Sequence, residues 1–246
     1  MVFVLFLLYA CNNSGMEENT VNNTTNLLHE IVPFTTDSLV HVVIEIPAGT
    51  NQKWEVNKVT GQIEWEQITP DSFRVINYLP YPANYGFVPQ TLLPEVSGGD
   101  GDPVDVFVLG EHIERGHIVK CKIIGGIEMM DNGETDDKLI ALPVQSHWEK
   151  INTLENLNQN YPGVLEILNT WLLHYKRNNE VKILSLRNEA EAVNYLETAH
   201  FNYKKHQPAK LKAGQKKFSE SESQRHTEIK IYTIIRLIRK LEDCFF

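Results

Sequence analysis

Asp100-Gly101-Asp102-Pro103-Val104-Asp105 sets three carboxylates within six residues, where a turn feeds the apolar run Val104 to Leu109. Gly98 and Gly99 supply permissive backbone ahead of it, and Pro103 fixes φ and withholds an amide where a ladder bond would otherwise form. Three like charges held this close repel one another. Oxygen-seeking divalent cations relieve the repulsion, and Mg²⁺ in particular is bound by a few carboxylates, retained waters and substrate phosphates. A solvated acidic turn is the plain alternative. An EF-hand loop is excluded, because its sixth position needs Gly and here holds Asp105, with Pro103 inside the ligand run.

The rest of the chain supplies the partners of a metal-phosphate site. Asp131, Asp136 and Lys138 fall in a second acidic turn, between the apolar runs Ile123 to Ile127 and Leu139 to Val144. Glu45 is the one acid in Val42-Val43-Ile44-Glu45-Ile46-Pro47, whose β-branched residues read as a buried strand. A carboxylate there either faces the wet side of a sheet or is paired at a site, since burial without a partner is costly. Lys53 and Glu55 share one strand face by the two-residue period. Arg74 is the only arginine before Arg115 and precedes a Pro- and Gly-punctuated loop, Tyr78 to Phe87. Arginine presents a planar fork to phosphate oxygens and lysine a compact charge. Tyr81 and Tyr85 in that loop offer phenolic donors or else simply pack.

Six runs read as short strands: Leu39 to Ile46, Lys53 to Val56, Gln62 to Trp65, Val104 to Leu109, Ile118 to Ile127 and Leu139 to Val144. Helices are expected over about 149–158, 162–176 and 188–203. In the second, Val164, Leu168, Trp171, Leu172 and Tyr175 fall on one face, with Pro162 in the first turn, so Tyr175 and Lys176 end the core stripe. The order is α+β with a strand-rich middle. A chain of 246 residues with 42% hydrophobic content buries one sizeable core. Its formal net charge of −9 is unevenly placed: residues 1–203 hold 12 Lys+Arg against 27 Asp+Glu, and 204–246 hold 11 against 5. An acidic body argues against nucleic-acid binding and suits metal loading.

Taken in order, Glu45-Ile46-Pro47, Lys53-x-Glu55, Tyr81-Pro82-x-Asn84-Tyr85-Gly86, Asp100 to Val106, Asp131-x₄-Asp136-x-Lys138 and His174-Tyr175-Lys176 resemble the soluble family I inorganic pyrophosphatases. The resemblance covers about residues 27–203, and the Asp-Gly-Asp-Pro-Val-Asp-Val run is that family's signature. It implies an α+β fold with an OB-like five-stranded β-barrel core and C-terminal helices packed on it. It also implies hydrolysis of inorganic pyrophosphate in a site holding several Mg²⁺ ions, with Mn²⁺ as a substitute, and a homo-oligomer, commonly a hexamer in bacterial forms.

Carried over position by position, the resemblance assigns metal to Asp100, Asp105, Asp131 and Asp136. Glu55 and Glu45 match the family's two upstream acids and join the metal set, Glu55 being the contact to a substrate-borne metal. Asp102 matches the residue that binds and deprotonates the attacking water. Lys53, Arg74, Tyr81, Tyr85, Lys138, Tyr175 and Lys176 match residues that hold the phosphates or brace the site, with Lys53, Arg74 and Tyr85 assigned to catalysis beside Asp102. Extra residues around Glu66 to Ser72 make the match at Arg74 depend on a gap. The chemistry agrees. Pyrophosphate repels a hydroxide nucleophile until cations neutralise its oxygens, and two metals sharing a water would lower its pKa towards about 7. Asp102 would accept the proton, while Lys53, Arg74, Tyr175 and Lys176 stabilise phosphate charge. Cys11, Cys121 and Cys244 fall in no matched motif.

The termini pose a question of location. Val2 to Ala10 is a short apolar run that ends Leu8-Tyr9-Ala10-Cys11, which resembles a bacterial lipoprotein signal cut before Cys11, although no Lys or Arg precedes it. Residues 1–26 then read as a signal and polar tether, with export and a lipid at Cys11 as the sole membrane contact; a cytoplasmic location is the alternative. Residues 204–246 form a basic extension in which Thr227 to Phe246 has the pattern of an amphipathic helix. Two rival functions are a silent metal-binding module of the same fold, against which the intact site positions count, and a metal-dependent phosphoesterase of broader substrate range.

Overall fold

Val40–Ile46 (β1) is buried along nearly its whole length, as its continuous β-branched run requires. The computed structural model describes residues 25–36, 38–176 and 181–206. Within them β1 is followed by Trp54–Val56 (β2), Ile63–Trp65 (β3), Gln67–Thr69 (β4), Ser72–Phe73 (β5), Asn84–Val88 (β6), Val104–Val108 (β7), Ile118–Asp131 (β8), Glu134–Thr135 (β9) and Lys138–Pro143 (β10). Helices Leu154–Asn160 (α1) and Val164–His174 (α2), strand Lys182–Arg187 (β11) and helix Glu189–His206 (α3) complete the order. The signal-like run ending at Cys11 and the amphipathic helix expected over Thr227 to Phe246 lie outside the described residues. Among the described residues no helix is long and apolar enough to cross a membrane.

Five strands close on themselves. β1 pairs with β6, β6 with β7, β7 with β10, β10 with β8, and β8 returns to β1. All these pairings are antiparallel except β7 with β10. The ring removes free edges from the central strands, and β11 extends β8 beyond it. Both faces of the strands are covered: Val104, Val106 and Val108 of β7 pack with Ala192, Leu196 and Ala199 of α3, while Phe107 packs with α1 and α2. This is the five-stranded OB-like α+β architecture expected.

Five strands were not foreseen, namely β4, β5, β6, β9 and β11. β6 lies in the stretch read as a punctuated loop, and its Gly86 is there because a Cβ would meet the Val43 carbonyl oxygen at 1.9 Å. β11, with four of its six residues exposed, lacks the buried apolar run that marks the barrel strands. The extra residues near Glu66 to Ser72 form the small β4–β5 hairpin. α1 starts at Leu154, later than expected, because Thr153 caps it through a bond from the Asn156 N–H to its hydroxyl (3.0 Å). α2 starts after Gly163, which takes the left-handed conformation (φ 92°), so Pro162 stands outside the first turn.

The β1–β6 contact yields a direct test. Gly86→Ala should lower stability by about 2 kcal/mol or more, as overpacking against backbone does, seen as a reduced midpoint in urea unfolding with an unchanged slope.

Candidate active site

β7 and β10 run in parallel register with Lys138 opposite Asp105, and this pairing founds the site. The Lys138 ammonium meets Asp105 Oδ2 at 2.5 Å and also the Asp136 carboxylate. The signature turn arrives from the other side. Gly98 and Gly101 adopt positive φ (84° and 77°), and the Gly101 N–H bonds the Leu93 carbonyl at 2.8 Å. The Asp102 N–H bonds Asp100 Oδ1 at 2.9 Å, folding the two acids into an Asx turn. Thr135 N–H donates to the Gly98 carbonyl (2.9 Å), tying this turn to the second acidic turn.

The remaining walls come from a hairpin and a helix end. Lys53 is held by backbone bonds to Arg74 (3.1 Å) and Glu66 (3.0 Å), so that it and Glu55 enter from the β2–β3 hairpin with Arg74 beside them. The end of α2 contributes Trp171, Leu172, Tyr175 and Lys176, and the indole N–H of Trp171 donates to the Leu79 carbonyl at 2.9 Å. Together these residues line a cleft of about 320 Å³ with Tyr81, Tyr85, Asn132, Glu134 and the five aspartates Asp100, Asp102, Asp105, Asp131 and Asp136. Every residue singled out in the sequence lines it except Glu45.

Among the described residues the lining is electrostatically unbalanced, with eight carboxylates against four cations. Burial, and then the neighbouring carboxylates, push Asp100 up to about 6, although the bond from Asp102 N–H opposes this. Burial also raises Asp136 against the pull of Lys138. For Lys138 itself burial acts downwards, but Asp105 and Asp136 outweigh it and hold the ammonium well above its usual range. Lys176 pairs with Asp131 and Lys58 with Asp102. Arg74 Nη1 meets both oxygens of Glu66, at 2.8 and 3.1 Å. Tyr81, pushed up to about 12 by burial, stands 4.5 Å from Trp171 between ring centroids, and Trp171 stacks on Tyr175 at 4.3 Å. At neutral pH these phenols keep their protons and can donate.

Among the described residues no three His, Cys, Asp or Glu side chains close on one common point. The aspartates are instead spread around the cleft, an arrangement that fits hard cations completed by water and phosphate oxygens rather than an all-protein cage. Sequence reasoning missed Lys58, which reaches Asp102 from the β2–β3 turn, and Glu66, which holds Arg74. Neither carries a local signal: a charged residue in a turn or on an exposed hairpin is usually solvated.

Comparison with known proteins bears on this geometry. A sequence model described as inorganic pyrophosphatase matches residues 42–204. An inorganic pyrophosphatase from Campylobacter jejuni is 35% identical over 172 residues, spanning 67% of this chain and 92% of its own. One from Aquifex pyrophilus is 34% identical over 170 residues, spanning 68% and 90%. The crystal structure of a type I inorganic pyrophosphatase from Toxoplasma gondii superposes with a TM-score of 0.69 at 26% identity, covering 73% of this chain and 88% of that one.

Glu45 lies beneath the cleft. It is 4% exposed, and its Oε1 accepts the Val56 N–H at 2.6 Å. Burial holds its carboxyl up at about 8, with Lys53 pulling the other way. An unfolded glutamate ionises near 4.5, so between those values the folded chain keeps a proton that the unfolded chain has released. This contribution to stability is whole below about 4.5 and is lost as the pH rises towards 8. Glu45→Gln keeps the acceptor and removes the titration. Its melting temperature should therefore fall less between pH 5 and 8 than that of the wild type, measured by calorimetry in matched buffers.

Proposed function

We propose that this chain, which belongs to the inorganic pyrophosphatase family and hydrolyses inorganic pyrophosphate, uses Mg²⁺ held by Asp100, Asp105, Asp131 and Asp136, with Asp102 as the proton acceptor for water. The observation that carries the reading is the charge excess of the cleft. Eight carboxylates against four cations repel a polyanionic substrate, so divalent metal is an electrostatic necessity here. Bound there, Mg²⁺ would neutralise phosphate oxygens and acidify a water. Glu55, half-exposed at the mouth, supports a role towards an ion that arrives with substrate.

The protein groups divide the remaining work. Lys53, Arg74, Lys138 and Lys176 supply fixed positive charge to the two phosphates, and Tyr81, Tyr85 and Tyr175 supply neutral donors, since burial raises all three phenols. Among the described residues the lining contains no Ser, Thr, Cys or His, which favours direct attack by water over a covalent intermediate of those types. Asp102 suits the base because its side chain is 44% exposed, against 21% for Asp105, and its lysine partner sits on a solvated turn where an ion pair is weak. Asp105 and Asp136 are both committed to Lys138. Family resemblance further supports a homo-oligomer.

Phosphate release from pyrophosphate should require Mg²⁺ and vanish in excess EDTA. Asp102→Asn should cut that rate by at least about 100-fold, within the range of a lost general base, with an unchanged circular dichroism spectrum. Activity of the folded variant within tenfold of wild type would remove Asp102 from the role.

A further inference from the structure

The ladder along β8 has a break beside two of the cleft's charged groups. β8 pairs with β10 as far as Ile127 opposite Lys138 and with β9 from Met130 opposite Thr135. Between them stand Glu128 and Met129, facing Asp136 and Asp137, which belong to neither strand. Asp136 and Lys138 line the cleft, and Asp137 is 1% exposed on the other side. Its side chain fills the break: Oδ1 accepts the Met129 N–H at 2.9 Å, while the Asp136 N–H donates to the Met129 carbonyl at 3.1 Å.

What holds the Asp137 carboxylate is Arg187 from the end of β11. Its Nε and Nη2 donate to Oδ2 at 3.1 and 2.8 Å, and Nη2 also reaches Glu128 Oε1 at 3.1 Å. The guanidinium lies over the Tyr195 ring of α3, 5.1 Å from its centroid. A planar fork packed against a ring and bonded through two nitrogens fixes direction as well as charge.

We propose that Arg187 is a positioning residue for the metal-binding edge of the cleft: acting through Asp137, it fixes the backbone that aims Asp136 and Lys138. The inference rests on the reading of Asp136 as a metal ligand. Neither Arg187 nor Asp137 lines the cleft, so the effect passes through the broken ladder. Partners that orient a ligand from behind typically change metal affinity by about 10- to 100-fold when removed.

The test is Mn²⁺ binding to the full chain without substrate, followed by electron paramagnetic resonance, beside the thermal midpoint. Arg187→Lys keeps the charge against Asp137 but loses the fork, and should bind Mn²⁺ about tenfold more weakly. The Mg²⁺ concentration for half-maximal activity should rise in step, while the KM for pyrophosphate at saturating Mg²⁺ stays within about twofold. Leu157→Ala, a cavity in α1 where the side chain is fully buried, is the control: it should lower the midpoint and leave Mn²⁺ affinity alone. Wild-type affinity in Arg187→Lys, or an equal loss in Leu157→Ala, would reduce Arg187 to a brace of the fold and overturn the proposal. A wild-type chain that hydrolyses pyrophosphate yet binds Mn²⁺ equally well after Asp136→Asn would instead overturn the ligand assignment, and this inference with it.

Discussion

Lys138 meets Asp105 and Asp136 with 4% of its side chain exposed, and this contact ties the cleft to the barrel. Parallel pairing of β10 on β7 sets Lys138 against Asp105. A slip of one residue would turn the lysine to the opposite face and leave the two aspartates without their shared cation. Breaking a buried pair by losing one partner costs about 3–5 kcal/mol, a large share of the roughly 5–15 kcal/mol that holds a domain together. Strand register and charge pattern are therefore enforced by the same contact.

Closure of the ring makes that register rigid, and an uncharged residue, Asn84, joins its strand ends. Asn84 is fully buried with its amide satisfied: Oδ1 accepts the Ala48 and Ile113 N–H groups at 3.0 and 2.8 Å, and Nδ2 donates to the Val108 and Glu111 carbonyls at 3.2 and 2.7 Å. It thereby joins the ends of β1, β7 and the following loop, a structural task for a residue embedded between two cleft tyrosines. Gly125 lets β11 approach β8, since a Cβ there would meet the Arg187 carbonyl oxygen at 2.7 Å. That approach brings Arg187 to Asp137.

The barrel strands β1, β7, β8 and β10 were legible because burial on both faces leaves continuous apolar runs. β6 was not, because Asn84, Tyr85 and Gly86 each answer a local demand, a buried amide, a cleft phenol and a close backbone contact, and none of these looks like strand propensity. β11 was hidden by exposure. The cleft was more legible than the fold around it: charged residues in turns and at strand ends stand out against apolar runs, and all but one of the proposed set face the same space. Glu45 is the exception because sequence reveals an acid in a buried strand without revealing which way it points. Its carboxylate is satisfied by the Val56 N–H. Lys58 and Arg187 stayed hidden since their partners are distant in the chain, and pairing across the fold leaves no spacing to read; Glu66 meets Arg74 across the β4–β5 hairpin, which was itself not foreseen.

The ion pairs fall into two electrostatic classes, and the division follows from strand geometry. Successive residues of an extended chain face opposite ways, so Asp136 and Lys138 are committed to the cleft and Asp137 to the interior. At the rim of the cleft Lys58 meets Asp102 and Lys176 meets Asp131 nearer to solvent, where water lowers the cost of exchanging one cation for another. Behind it, the Asp137 carboxylate is closed off with Arg187, where losing the partner would strand a charge in low dielectric. Exchangeable pairs at the rim and locked pairs at Lys138 and Asp137 give the cleft labile charges on a fixed backbone. That combination suits a site whose chemistry tolerates little displacement of its carboxylates, since a misplacement of about 1 Å costs on the order of 100-fold in rate.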